Sequence, residues 1–241
     1  MEQLINIDTG IFLFFNSMYC DFADRFMQLF SERFIWVPMY ATLLFVIIRN
    51  YGWRKALFII AGSALAIAMT DQLCASLIRP VVQRLRPANP ANPLSDLVHI
   101  VNGYRGGNYG FPPCHAANTF ALVGLMVPLI RNRRFTATVV TWALVNCYSR
   151  IHLGVHYPGD LLAGGLIGFM IGYLCYYLVR LTAFSGKTPQ AVNSETSYIY
   201  FASPIFTYIP MLRLSSFQFR HTDFVTIAAS TTVAAIALAA I

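Results

Sequence analysis

Long apolar runs, separated by short polar breaks, dominate the chain. Residues 34–48 form the first run that reads as a membrane span, with Pro38 near its start, where a helix tolerates proline. Arg49, Arg54 and Lys55 mark a short basic break. Residues 56–78 then supply the ~20 apolar residues that a membrane-spanning helix needs. Residues 114–130, 136–154 and 158–180 read as three further spans, with Arg131, Arg133 and Arg134 between the first two. Residues 223–241 are apolar and just long enough for a sixth. Residues 2–32 differ: Ile5, Ile11, Phe12, Phe15, Phe22, Phe26, Leu29 and Phe30 fall at roughly helical spacing, interrupted by Asp21, Asp24 and Arg25. One or two interfacial amphipathic helices are expected there, with a span starting near Leu4 as the alternative. Residues 79–113 carry too many prolines and glycines for a continuous helix and read as a long, functional loop.

The expected fold is therefore all-α. It is a polytopic membrane helical bundle with five core transmembrane helices, or six if 223–241 crosses, preceded by N-terminal amphipathic interfacial helices. The expected division is 1–33 as an amphipathic segment, 34–182 as the membrane core, 183–222 as a cytoplasmic or interfacial tail, and 223–241 as a candidate further span.

Composition agrees with the pattern. Of 241 residues, 57% are hydrophobic and only 11% are charged, against about a quarter charged in an average soluble domain. The net charge of +7 fits cytoplasmic loops facing anionic lipid, and the spread of basic residues between apolar spans argues against a nucleic-acid partner. The five cysteines include no CxxC pair, so free thiols are expected, with no metal site. The start, MEQLINID, lacks a basic n-region and a cleavage site, so no signal peptide is expected. The short basic breaks at 49–55 and 131–134, with Arg180 and Lys187, should be cytoplasmic. The loop 79–113 and the turn at 155–159 then face the other side, which in a bacterium is the periplasm. Oligomeric state is open.

Three polar groups converge on that face. They are Arg79 with Arg86-Pro87, then Pro112-Pro113-Cys114-His115, then Ser149-Arg150 with His156 and Asp160. Charged groups at a membrane boundary are costly unless they face a hydrated site or one another. Guanidiniums bind phosphoryl oxygens in pairs of charge-assisted bonds. An imidazole can attack phosphorus, a carboxylate can set its tautomer, and a second imidazole can protonate the leaving oxygen. Pro158 suits the first turn of the fifth span and places Asp160 near its positive end, with His156 within reach. Pro112-Pro113 can likewise open the third span beside His115. Asp71, inside the second span, is expected to make an interhelical hydrogen bond.

These groups resemble the three signature motifs of the type 2 phosphatidic acid phosphatase superfamily (PAP2, related to vanadium haloperoxidases), whose pattern is KxxxxxxRP, PSGH and SRxxxxxHxxxD. The third motif is matched in full by Ser149, Arg150, His156 and Asp160; in the first, Arg79 stands for the lysine; in the second, Pro113 and Cys114 stand for serine and glycine. The resemblance covers about residues 34–182. It implies that His156 is the nucleophile forming a phosphohistidine, that Asp160 orients it, that His115 is the general acid, and that Arg79, Arg86 and Arg150 clamp the phosphate, with no metal or other cofactor. Pro113 removes a hydroxyl and an N–H that could hold phosphate. The implied activity is hydrolysis of a membrane lipid's phosphate or pyrophosphate, with undecaprenyl pyrophosphate and lipid A the leading substrates and membrane lipids around the bundle. The alternative is a non-catalytic lipid-phosphate binder or transporter on the same scaffold.

Other polar residues carry weaker expectations. Arg105, in the run 102–110, is a candidate headgroup contact. His152 reads as a packed or rim histidine, His99 as a loop residue, and Cys114 as a small residue filling the motif.

Overall fold

The computed structural model describes residues 2–32, 34–192 and 221–240. The helices are α1 (Glu2–Asn16), α2 (Asp21–Phe30), α3 (Val37–Asp71), α4 (Arg79–Val82), α5 (Cys114–Ile130), α6 (Arg133–His152), α7 (Pro158–Ala183) and α8 (His221–Ala239). A π-helical segment, Gln72–Ile78, joins α3 to α4. No strand occurs among the described residues, so the expected all-α class holds. The stretch Phe34–Val82 and helix α7 are each long and apolar enough to cross a membrane. The expected tail at 183–222 falls mostly on 193–220, outside the described residues.

The bundle is built on close contact between α5 and α7. Gly164, Gly168 and Gly172 recur every fourth residue and form a stripe along α7. A Cβ at Gly168 or Gly172 would collide with the carbonyl of Ala117 or Ala121, and one at Gly164 would stand 2.9 Å from Pro113 Cδ. Gly124 of α5 returns the contact against the backbone of Phe169. Small residues spaced in this way let two helix backbones approach without side chains between them.

Helix α3 reverses direction at Gly52, where φ is 77° and ψ is 160°, a conformation that favours glycine. Before the reversal, Trp36 packs edge-on against Trp142 of α6. At the reversal, the Tyr51 hydroxyl donates to Leu129 O at the far end of α5 (2.7 Å). After it, the chain climbs back along α5. Asn118 Nδ2 donates to Asp71 Oδ1 at 3.0 Å, and the Thr70 hydroxyl donates to Asn118 Oδ1. Asp71 thus makes the interhelical bond expected of it. At the top of this arm, Arg79 Nη2 donates to Pro112 O (2.9 Å). The reversal is the reason the basic break at 49–55 sits at the opposite end from Arg79.

Helices α6 and α7 start where their sequences say they should. Asn132 accepts from Phe135 N at 3.1 Å and caps α6. Pro158 opens α7. Helix α8 packs on α3 and α6, with Ile236 fully buried in the same core.

The N-terminal helices are tied to the core more firmly than an interfacial reading implies. Leu4, Ile5, Ile7, Ile11 and Phe14 are exposed on α1, whereas Phe12 and Asn16 are buried. Asn16 Nδ2 donates to Ile151 O (3.1 Å) and His152 O (3.0 Å), and Asn16 Oδ1 accepts from His99 N (2.8 Å). Replacing Gly168 with leucine is expected to cost about 1–3 kcal/mol or more through overpacking. It should lower the thermal midpoint of the detergent-purified protein, and an unchanged midpoint would contradict the close α5–α7 contact.

Candidate active site

The site lies where four elements end together: the start of α4, the loop behind it, the start of α5, and the α6–α7 turn. The α5–α7 glycine contact brings His115, the second residue of α5, to the level of the α7 N-terminus. The α6–α7 turn is held by Val155 N donating to Arg150 O (3.1 Å) and Ala88 N donating to Gly154 O (3.0 Å). Gly154 has a φ of 74° and touches Val98 and the His99 carbonyl, so a side chain there would meet both strain and a clash.

His156 is almost fully buried on this turn. Its Nε2 lies 3.0 Å from Arg86 Nη1. A guanidinium can only donate, so Nε2 accepts and the imidazole proton belongs on Nδ1. Arg86 is itself held by Tyr109 O (3.2 Å) and Val155 O (3.4 Å). Burial pushes His156 well below the usual histidine range, and Arg86, Arg150, His115 and Arg79 add repulsion in that order. The ring is therefore neutral near pH 7, with an Nε2 lone pair facing a cluster of cations. That is the form a nitrogen nucleophile needs.

Each residue expected at the site has a definite place. Arg79 reaches Pro112 O and, at 3.1 Å, Cys114 Sγ, so the cysteine of the second motif contacts the first-motif arginine directly. Arg150 is buried and donates from Nη2 to Ser31 O at 2.9 Å. Asp160, in the first turn of α7, is fully buried. Its Oδ2 accepts from Tyr157 N at 3.4 Å and its Oδ1 from Arg84 Nη1 at 2.5 Å. The expected Asp160–His156 hydrogen bond is not made in this arrangement, since His156 Nδ1 has no hydrogen-bond partner among the described residues. The two groups nevertheless border one point: a Cβ on Gly110 would stand 3.4 Å from His156 Nδ1 and 3.5 Å from Asp160 Oδ2. Arg105 is used within the loop, donating from Nη1 to Ala88 O (2.7 Å) and the Ser95 hydroxyl (3.0 Å).

Sequence reasoning missed Asp8, Asp24 and Arg84. Asp24 of α2 bonds two imidazoles, His152 Nε2 through Oδ1 (2.8 Å) and His99 Nε2 through Oδ2 (2.9 Å). Tyr19 stacks on the His99 ring at 3.7 Å. His152 is thus a packed residue, as expected, and His99 does more than fill a loop. Arg84 bridges Asp160 and Asp8. No group of three metal-binding side chains occurs among the described residues.

What the arrangement suits is a tetrahedral anion: guanidiniums of Arg79, Arg86 and Arg150 gather near one buried nucleophilic nitrogen, between the N-terminal ends of α5 and α7. Known proteins are similar to this chain in sequence and fold. The family model of the PAP2 superfamily matches residues 56–183. A lipid A 4'-phosphatase of Bacteroides thetaiotaomicron is 50% identical over 184 residues, covering 76% of this chain and 82% of that protein. A lipid A 4'-phosphatase of Porphyromonas gingivalis is 32% identical over 203 residues, covering 82% and 86%. The crystal structure of Aquifex aeolicus LpxE matches with a TM-score of 0.52 at 22% identity, over 69% of this chain and 93% of that one, a likeness of fold. With its motifs, more than half its length and its helical architecture in agreement, the chain belongs to the PAP2 superfamily.

Proposed function

We propose that this protein is an integral-membrane lipid phosphatase that removes the 4'-phosphate of lipid A. The observation that carries the reading is the His156–Arg86 contact, which leaves a neutral imidazole with its lone pair on Nε2 among the phosphate-binding arginines. The choice of lipid A rests on the relatives at 50% and 32% identity, both named as lipid A 4'-phosphatases.

The chemistry proceeds in two displacements. Arg79, Arg86 and Arg150 bind the phosphoryl oxygens and neutralise charge as it builds. As Arg86 turns from His156 Nε2 to the phosphoryl oxygens, the freed lone pair attacks phosphorus, the bond to the sugar oxygen breaks, and His115 gives that oxygen its proton. The imidazole Nδ1 proton turns to the Asp160 carboxylate as positive charge develops on the ring. His115, now a base, takes a proton from water; the oxygen attacks the phosphohistidine, and inorganic phosphate leaves. No metal is required by this scheme. Phosphate binding also supplies the negative charge that favours protonated His115 at its helix N-terminus.

The bundle serves such a substrate. The arms of α3 on either side of Gly52, with α5, α6 and α7, make five crossings, and α8 makes a sixth. The exposed Leu162, Leu166, Phe169 and Met170 of α7 face acyl chains. The apolar outer face of α1 lies in the membrane interface beside the site. Arg49, Arg54, Lys55, Arg131, Arg133 and Arg134 gather at the opposite end, which supports a cytoplasmic placement for that end and a periplasmic one for the site.

Purified protein should release phosphate from lipid A carrying 1- and 4'-phosphates, leaving the 1-phosphate in place by mass spectrometry. His156→Ala should reduce kcat by about a thousandfold or more. Retained activity in that variant rules out the phosphohistidine route, and binding without turnover favours the non-catalytic reading. Release from undecaprenyl diphosphate alone would shift the substrate and keep the mechanism. The pH profile gives a second check. Because His156 sits below its ordinary value of 6.5, the acid limb of kcat/KM that reports its protonation should fall below that pH. An acid limb above it that disappears in variants of Arg86 would contradict the neutral-imidazole assignment.

A further inference from the structure

Arg84 lies between the two arginines of the first motif, yet it faces different partners. Its Nη1 donates to Asp160 Oδ1 at 2.5 Å and its Nη2 to Asp8 Oδ2 at 2.8 Å. Its guanidinium also lies 4.0 Å above the Tyr157 ring. With a carboxylate on each terminal nitrogen and a ring against its face, Arg84 is committed to protein groups. Asp8 has a second task. Its Oδ1 accepts from Gly159 N at 2.7 Å, satisfying an amide of the first turn of α7 that no residue of that helix can reach. Gly159 suits this contact, since a Cβ there would stand 3.0 Å from Asp8 Oδ2.

The geometry of Asp160 makes this wiring relevant to the reaction. With Oδ1 fixed by Arg84, Oδ2 borders the point above Gly110 that His156 Nδ1 also borders. A carboxylate that must accept a hydrogen bond from Nδ1–H as the imidazole becomes charged has to present one particular oxygen. Free rotation would offer either, and a small displacement at a reacting group has large rate effects.

We propose that Asp8 and Arg84 are positioning residues for the reaction: Asp8, from the N-terminal helix, holds Arg84 across the first turn of α7, and Arg84 holds Asp160 with its second oxygen on the His156 side. The inference rests on the phosphatase reading given above. On this basis α1 is part of the catalytic apparatus, reaching the site through one carboxylate.

The test uses the full-length protein in detergent, phosphate release from lipid A bisphosphate, and thermal unfolding of each variant. Arg84→Gln is expected to lower kcat about 100-fold with KM within about threefold, and Asp8→Asn about tenfold with the same split. Asp8→Glu should recover most of the loss in Asp8→Asn. The double variant should be no slower than Arg84→Gln alone, because Asp8 acts through Arg84. Wild-type kcat in folded Arg84→Gln overturns the proposal. So does a raised KM at unchanged kcat, which would make Arg84 a substrate contact. If Arg84→Gln does not fold, Asp8→Asn decides alone, and an unchanged kcat there overturns the proposal. An active wild type with an inactive His156→Ala and unaffected Asp8 and Arg84 variants removes this inference only. A wild type that releases no phosphate from lipid A or undecaprenyl diphosphate removes the phosphatase reading and this inference with it.

Discussion

Gly164, Gly168 and Gly172 let the backbone of α7 lie directly against that of α5, and the chemistry depends on how close that is. Helix α5 delivers His115 from its first turn; α7 delivers Asp160 from its own and takes His156 from the turn before it. Were side chains to separate the two helices by a further layer, His115 would stand farther from His156 and the two could not border one ligand. The contact also sets two positive helix ends side by side. Together with three arginines, they make a site that a neutral ligand could not stabilise.

The burial of these cations has a cost, and the structure shows how it is met. Arg150 is almost wholly buried and leans on a backbone carbonyl from the segment after α2. Arg86 leans on two carbonyls and an imidazole. Carbonyl dipoles stabilise a guanidinium without neutralising it, whereas a carboxylate would cancel the charge that phosphate is meant to meet. Arg84 is treated in the opposite way, with two carboxylates. Arg79 and Arg86, bonded to carbonyls, thus keep charge for an anion, whereas the charge of Arg84 is met by two carboxylates.

Much of this was legible in the sequence, for reasons that are physical. Charged side chains stand out against long apolar runs, so Arg79, Arg86, His115, Arg150, His156 and Asp160 announced themselves. The hairpin at Gly52 showed as a basic break. The i, i+4 glycines of α7 were visible too, but nothing local says which helix they face. Asp8, Asn16 and Asp24 were harder. A polar residue on an amphipathic helix has the same signature whether it meets water or a buried partner, and their partners lie far along the chain. Arg84 was hidden by its neighbours, since a third arginine between two motif arginines reads as more of the same. Nor could spacing show that Asp160 would give one oxygen to Arg84 and the other to Tyr157 N, leaving His156 Nδ1 without a hydrogen bond to it.

The docking of Asp8 on Gly159 and Arg84 has a consequence for how the protein is made. Asp8 leaves the ribosome well before its partner, since the amide it accepts from belongs to a residue 151 positions later. Until α7 has been synthesised, Asp8 lacks the Gly159 amide and has only Arg84 to pair with. Closing so long a loop is entropically expensive in a free chain. Anchoring both ends to one bilayer surface confines that search to two dimensions. The Asp8–Gly159 contact therefore closes late, between a segment and a helix translated long after it.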